Sequence, residues 1–312
     1  MIDSNLKRVI AQFKETYAKE VGNSGHELRL SELLPKAQQN YNKREGELHP
    51  SSFPFCGLRY AYELQHREED PVVMQDFGSD YFLNAGTVFH SAVQRWIGRG
   101  GAIIGTWRCL ACKYETKPRT HPLLCVKCKS PHLEYQELGG AWGKNIHWHS
   151  DGVYKQPNKK LWVIDYKTSS NAAIEEHRKT KMLFPYVKNR FQIETYIPLI
   201  EDTYKVQIEG WLLVMCARDN PARPWNVEVV GGAIDADRRE VLKARLHQSD
   251  KDWSVARKVH ERPIAVYKRL TETKICPDRE FYKDNIYDKY SPCPLSRVCF
   301  NKEKLKAFLA TK

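Results

Sequence analysis

One strand-like segment carries an acid and a base where its apolar pattern ends. The run Leu161 to Thr168 begins with apolar residues and then presents Asp165 and Lys167. Side chains two positions apart on a strand point to the same face, so these two charged groups should face the same way. Buried charges are costly unless they are paired or bind a metal ion. The triplet alone favours a structural ion pair, and its neighbours in the chain bring in the metal site as the alternative.

A second acid, Asp151, lies in the preceding strand-like segment, Asn145 to Tyr154. The turn-rich sequence that begins at Gln156 would let the two segments pair, which would bring Asp151 close to Asp165. Neighbouring carboxylates repel each other, and a divalent cation relieves that repulsion. The two segments are therefore consistent with a divalent-cation site, and the ion pair of Asp165 with Lys167 stays the alternative.

Three further polar side chains lie on predicted helices. His90 follows Gly86 by four positions and could add a nitrogen ligand to an oxygen-rich metal site. Gln192 and Tyr196 stand at i and i+4, so they share one face of a helix that follows the lysine strand. Taken singly, His90 is typical of an ordinary core or surface histidine, and Gln192 of a surface residue. Only their order along the chain, together with the two aspartates and the lysine, indicates a functional site.

Two CxxC pairs, Cys109/Cys112 and Cys125/Cys128, are separated by a short basic segment. Two such knuckles facing each other supply the four thiolates of a tetrahedral zinc site, which would be structural because no position stays open for water. A redox CxxC is the alternative, and two copies around a basic hairpin fit it poorly. Either His121 or His132 could replace one thiolate. The basic residues of this segment could grip nucleic acid or form a solvated face; they are Lys113, Lys117, Arg119, Lys127 and Lys129.

Five cysteines lie outside these pairs. Cys216 falls in an apolar strand and is typical of a core residue. The spacing of the other four is equally consistent with metal ligands and with ordinary buried thiols; they are Cys56, Cys276, Cys293 and Cys299.

The composition favours a globular, intracellular protein with a polyanionic partner. The net charge is +12, with 50 basic and 38 acidic residues, and a basic surface attracts nucleic acid or anionic lipid. No apolar run is long enough to span a bilayer, and the N-terminus lacks the apolar core of a secretory signal. We therefore expect a cytoplasmic, reducing location, no membrane association, and thiols that bind metal rather than form disulfides.

Helices and strands are predicted in an alternating order. The expected helices cover Asp3 to Val21, Arg29 to Asn42, Gly57 to Gln65, Asn84 to Ile97 with glycines at its end, the segment around Gln192, and Asp235 to Glu261. Besides the two strands above, Val206 to Ala217 and Trp225 to Val230 should join the sheet. The first two helices are expected to pack on the core.

The order of these motifs resembles the RecB-like branch of the PD-(D/E)XK nuclease superfamily, over about Ser51 to Phe300. That branch has G-x-x-x-H on a helix, an aspartate on one strand, D/E-x-K on the next and Q-x-x-x-Y on the following helix. The matching residues are Gly86 with His90, Asp151, Asp165 with Lys167, and Gln192 with Tyr196.

The resemblance implies a fold, two further metal centres and roles for the site residues. It implies an α/β, restriction-endonuclease-like fold with a mixed central sheet flanked by helices. It also implies a [4Fe–4S] cluster, as in AddB-type and CRISPR-adaptation nucleases, on Cys56, Cys276, Cys293 and Cys299. The catalytic cation, Mg²⁺ or Mn²⁺, would be held by His90, Asp151, Asp165 and the Tyr166 carbonyl, with Lys167, Gln192 and Tyr196 completing the catalytic set. The expected domains are an N-terminal helical region over 1–50, a nuclease domain over 51–312, and a zinc ribbon inserted at 105–136.

The function implied is metal-dependent hydrolysis of DNA, as an exonuclease on single-stranded or frayed ends in recombination, repair or replication. Partners would be DNA and a helicase or recombination protein. Three alternatives remain: a flap-cleaving endonuclease, a catalytically silent DNA-end-binding scaffold, and a zinc-ribbon transcription or RNA factor. The complete set of two acids and a lysine argues against the last two.

Overall fold

The computed structural model describes residues 4–22, 49–50, 90–180, 186–217 and 227–258. The helices in these ranges are α1 (Ser4–Gly22), α2 (90–99), α3 (Asn171–Thr180), α4 (Tyr186–Tyr204) and α5 (Ala236–Lys258). The strands are β1 (Ile103–Ile104), β2 (Thr106–Cys109), β3 (Leu133–Gln136), β4 (Leu138–Trp142), β5 (Ile146–Ser150), β6 (Gly152–Lys155), β7 (Leu161–Ser169), β8 (Gly210–Ala217) and β9 (Val227–Ala233). The predictions for residues 29–42 and 57–65, for Gly86, and for Cys56, Cys276, Cys293 and Cys299 lie outside the described ranges.

Five strands form a mixed central sheet in the order β1-β6-β7-β8-β9. The β7–β8 pair is parallel, and the other neighbours are antiparallel. A parallel pair needs a long crossover connection, and helices α3 and α4 lie in it. The expectation of an α/β protein with a mixed central sheet and helices is confirmed.

Strand β8 shows why the sheet has a core on each face. All eight of its residues are buried, as expected for a strand covered on both sides. Leu212 and Val214 pack in the core that contains α1, while Leu213 and Met215 pack in the core that contains α4. The apolar stripe predicted for α1 lies in the first core, with Leu6, Val9, Phe13 and Tyr17 all buried.

Charged side chains fix α4 and α5 on their face of the sheet. Asp235 lies just before α5, and its Oδ1 accepts a 2.7 Å hydrogen bond from the Arg238 backbone N–H, the usual role of an N-cap carboxylate. The buried Glu194 of α4 accepts hydrogen bonds from Arg238 at 2.5 Å and from Arg190 at 2.7 Å. The predicted start of the last helix is therefore confirmed.

The largest correction concerns Asn145 to Tyr154, which was predicted as a single strand. The structure divides it at Asp151: β5 pairs with β4 in a separate hairpin, whereas β6 joins the central sheet. Gly152 allows the close approach at this break, because a Cβ there would lie 2.6 Å from both Ile103 Cγ2 and Tyr135 Oη. Strands β1 and β4 and helix α3 were not predicted, and β8 begins at Gly210, later than expected.

The helix predicted over Asn84 to Ile97 corresponds to α2 in its described part. It ends at residue 99, and Gly101 adopts a φ of 77°, as predicted for a glycine-rich C-terminus. None of the described helices combines the length and apolar character that crossing a bilayer requires.

Candidate functional site

Asp151 lies at the junction between the β4–β5 hairpin and the central sheet, and three hydrogen bonds fix it there. Its backbone carbonyl accepts from Tyr135 Oη at 2.7 Å and from Gln94 Nε2 at 3.4 Å. Its side-chain Oδ2 accepts from the Tyr166 backbone N–H at 2.6 Å. The carboxylate is thus held by the neighbouring strand β7, and Oδ1 remains to face α2.

His90 opens the described part of α2 and faces this carboxylate. Its Nε2 lies 3.2 Å from Asp151 Oδ1 and 4.0 Å from Glu137 Oε1. The Nε2 atom is buried, and within the described residues it makes no aligned hydrogen bond. One ligand atom from each of these three residues lies within 4.8 Å of the others, so the group could hold a metal ion.

Glu137 is the site residue that the sequence analysis missed. It links β3 to β4, and its Oε1 accepts a 3.0 Å hydrogen bond from Gln94 Nε2. The same amide of Gln94 contacts the Asp151 carbonyl, so one side chain from α2 touches both acidic residues. An acid between two short strands belongs to no recognisable motif, and its position depends on a hairpin that was not predicted. No signal in the sequence alone would have identified it.

Asp165 and Lys167 share one face of β7, as the period of two requires. Lys167 Nζ lies 3.0 Å from Asp165 Oδ1 and 2.8 Å from Oδ2. The carboxylate is almost fully buried, while about a third of the lysine side chain is exposed. Asp165 stands outside the group formed by His90, Glu137 and Asp151. The structure therefore contains the ion pair that the sequence offered as the structural alternative, beside a second acidic residue.

The four charges of this region influence one another. Burial raises the pKa of Asp165 to about 6, and the charge of Lys167 offsets part of that rise. For Asp151, burial also raises the pKa, but the charges of His90 and Lys167 outweigh it and hold the pKa below its usual value. Burial would lower the pKa of His90, yet Asp151 raises it to about 9. In the absence of a cation, a proton on His90 compensates the charge of Asp151.

Gln192 and Tyr196 lie on the buried face of α4, one turn apart, and Gln192 Nε2 donates a 3.0 Å hydrogen bond to Tyr196 Oη. Burial raises the pKa of Tyr196, and the negative charge of Asp165 raises it further. The Tyr196 phenol therefore interacts electrostatically with the Asp165 carboxylate. It stays protonated at neutral pH and can act as a hydrogen-bond donor.

The four paired cysteines form a second group that could hold a metal ion. All four sulfurs lie within 4.8 Å of one another, with Cys109 Sγ 3.5 Å from Cys128 Sγ and Cys112 Sγ 3.7 Å from Cys125 Sγ. A tetrahedral ion with sulfur at about 2.3 Å requires sulfur–sulfur separations of about 3.8 Å. The two short contacts join different knuckles, whereas a redox pair would join the two cysteines of one CxxC.

The knuckles have the backbone of a thiolate-binding turn. In the first, the Lys113 N–H donates to the Cys109 carbonyl at 2.9 Å; in the second, Lys129 repeats this contact on Cys125. Lys113 and Lys129 adopt positive φ angles of 60° and 62°. The backbone N–H of Cys112 is the main cause that lowers the pKa of Cys109, to about 6, which favours its metal-binding thiolate form.

The remaining residues expected in this segment lie away from the four sulfurs. The His121 ring packs on Trp107, with ring centroids 4.5 Å apart, so it is not among the grouped ligands. Cys216 is buried in β8, with its Sγ 3.6 Å from Tyr17 Oη, in keeping with a core role. The five basic residues of the segment are all exposed; they are Lys113, Lys117, Arg119, Lys127 and Lys129.

Comparisons with known proteins add little to this description. No protein-family model matches the chain, and no curated protein matches it. Among solved structures, the crystal structure of SSO0001 aligns with 86% of this chain and 98% of its own, at 13% identity and a TM-score of 0.36. A similarity at that TM-score carries no argument about fold or function.

Proposed function

We propose that this protein is a metal-dependent DNA nuclease of the RecB-like PD-(D/E)XK type, with a restriction-endonuclease-like fold. The observation that carries the proposal is the contact of His90 with Asp151, 3.2 Å from Nε2 to Oδ1, beside the strand that presents Asp165 and Lys167. The motif order on a mixed sheet flanked by helices also supports the restriction-endonuclease-like assignment.

The residues present fit a divalent cation. A buried histidine nitrogen without an aligned hydrogen bond faces an ionised carboxylate, and a positive charge supplied by a cation would replace the proton on His90. His90, Asp151, Asp165 and the Tyr166 carbonyl would hold Mg²⁺ or Mn²⁺. Such an ion polarises a phosphate and lowers the pKa of bound water.

Three side chains of this protein would act on the substrate. Lys167, whose side chain is about a third exposed, would orient the attacking water or stabilise negative charge developing on the phosphate. Gln192 and Tyr196, joined by a hydrogen bond on α4, would position the DNA strand.

We further propose zinc for the group of four cysteines, since sulfur is its preferred ligand and the separations suit a tetrahedron. With four protein ligands this ion would be structural. The [4Fe–4S] cluster on Cys56, Cys276, Cys293 and Cys299 stays a prediction for residues outside the described ranges. Single-stranded or frayed DNA is the proposed substrate, supported by the net charge of +12 and the exposed basic residues of the ribbon.

Cleavage of end-labelled single- and double-stranded DNA tests this function. The full-length protein, purified without oxygen, would be assayed with Mn²⁺, with Mg²⁺ and with EDTA. Lys167→Ala should abolish cleavage, whereas Lys160→Ala should not, because Lys160 forms an exposed ion pair with Glu209 in a turn. DNA binding without metal-dependent cleavage would favour the end-binding scaffold instead. Release of the label from internal flaps would favour a structure-specific endonuclease.

A further inference from the structure

Glu137 brings an unexpected carboxylate to the candidate cation site. We propose that Glu137 is a ligand of the divalent cation, together with His90 and Asp151. The inference deepens the proposed nuclease function and rests on it for the role of the ion. It concerns a residue that no motif in the sequence marks.

The contacts around Glu137 orient its carboxylate toward the histidine. Its Oε1 lies 4.0 Å from His90 Nε2 and accepts a hydrogen bond from Gln94 Nε2 at 3.0 Å. Gln94 Nε2 also contacts the Asp151 carbonyl, so both acidic residues lie against α2. Because 37% of the Glu137 side chain is exposed, an ion arriving from solvent can reach it.

Charge balance gives a reason for a second acid. A divalent cation is best compensated by two carboxylates, and Asp151 supplies one of them. Asp165 already faces a positive charge, since Lys167 Nζ lies within 3.0 Å of both of its oxygens. Asp165 can still coordinate the ion, but Lys167 already compensates its charge, so Glu137 would supply the second net negative charge.

The base of the ribbon determines where Glu137 lies. Glu137 directly follows β3, whose last residue, Gln136, pairs with Thr106 at the start of β2. One residue earlier, the buried Tyr135 donates its hydroxyl to the Asp151 carbonyl at 2.7 Å. The returning strand is thus anchored to the same residue that Glu137 would join in binding the ion. The position of Glu137 is therefore set by the β2–β3 pairing and by the contact of Tyr135 with Asp151.

Binding of Mn²⁺ to the full-length protein, followed by the paramagnetic resonance signal of the unbound ion, tests the proposal without requiring catalysis. Glu137→Gln should weaken Mn²⁺ binding by at least about tenfold, since even residues that only support a ligand commonly contribute that much. Glu137→Asp keeps the charge and should recover part of the affinity. Glu115→Gln is the matched control, because that carboxylate is 62% exposed on the ribbon and should leave binding unchanged.

The outcomes separate this inference from the proposed function. Equal Mn²⁺ affinity in wild type and Glu137→Gln would overturn the ligand role, whatever happens to cleavage. If binding depends on Glu137 but the wild type cleaves no DNA, the cation site stands and the nuclease proposal fails. Melting temperature and zinc content, measured on the same samples, would reveal a Glu137→Gln variant that had lost its fold.

Discussion

The backbone N–H of Tyr166 donates a 2.6 Å hydrogen bond to Asp151 Oδ2. Tyr166, which lies between Asp165 and Lys167, therefore orients the carboxylate of Asp151. Because Asp151 directly precedes β6, this hydrogen bond sets its position relative to Asp165 and Lys167 on β7.

Asp151→Asn should remove the negative charge that faces His90 while keeping the size of the side chain. We expect DNA cleavage to fall by about 100-fold or more, as for loss of a charge that acts in the transition state. Asp237→Asn, at an exposed site in the first turn of α5, should leave the cleavage rate unchanged. Wild-type rates for Asp151→Asn at saturating Mn²⁺ would contradict the assignment.

Asp165 should give the metal-free protein a distinctive pH dependence of stability. Burial raises its pKa to about 6, above an unfolded value of about 3.9, so the folded state binds the proton more tightly. Its contribution to the free energy of unfolding should then fall by about 2–3 kcal/mol as the pH rises from about 4 to about 6.

Denaturant titrations of wild type and Asp165→Asn in EDTA would measure this effect. The variant should gain stability relative to wild type across that pH range, and added Mg²⁺ should reduce the difference by compensating the ionised carboxylate. Parallel pH curves for the two proteins would show that Asp165 titrates like an exposed acid.

Cys128→Ser should remove one thiolate of the ribbon metal from an exposed position. Zinc measured by mass spectrometry should fall by close to one equivalent per chain. Cys216→Ser is the matched control, and its zinc content should stay at the wild-type level because Cys216 lies in the central sheet. Full zinc occupancy in Cys128→Ser would mean that the ribbon does not hold the ion.

Reversing two ribbon charges, Lys127→Glu with Lys129→Glu, tests the ribbon as a DNA contact. If both lysines neutralise phosphates, the slope of log binding constant against log salt should become less steep by about 1.4–1.8. The control pair, Lys155→Glu with Lys159→Glu, makes the same charge change at exposed positions around the β6–β7 turn. Equal slopes for both pairs would assign the effect to net charge alone.

The parts of the fold that could be predicted depend on local pattern. The stripe of α1, the apolar run of β8 and the two CxxC knuckles each contain their own periodicity or spacing. The break at Asp151 was not predicted, because the strand-like pattern runs through it; in the structure the chain bends at Asp151 and Gly152 adopts a φ of 154°. What changes there is the partner strand, which is a long-range property.

The candidate site divides in the same way. The contact of Asp165 with Lys167 follows from a period of two along one strand. The contact of Glu137 with His90 joins residues from different elements across the ribbon, and depends on the β2–β3 pairing and on Gln94. Spacing within the sequence contains no information about that kind of proximity.

The two ends of the ribbon lie side by side, because Thr106 at its start pairs with Gln136 at its end. Its tip exposes Leu123 at 80% and carries the lysines, whereas its base buries Trp107 and Tyr135. Under the proposed function, exchanging the tip would change which DNA is bound and leave the base unaltered. A chimera joined within the base would displace Tyr135, which donates to the Asp151 carbonyl, and would therefore disturb the proposed cation site.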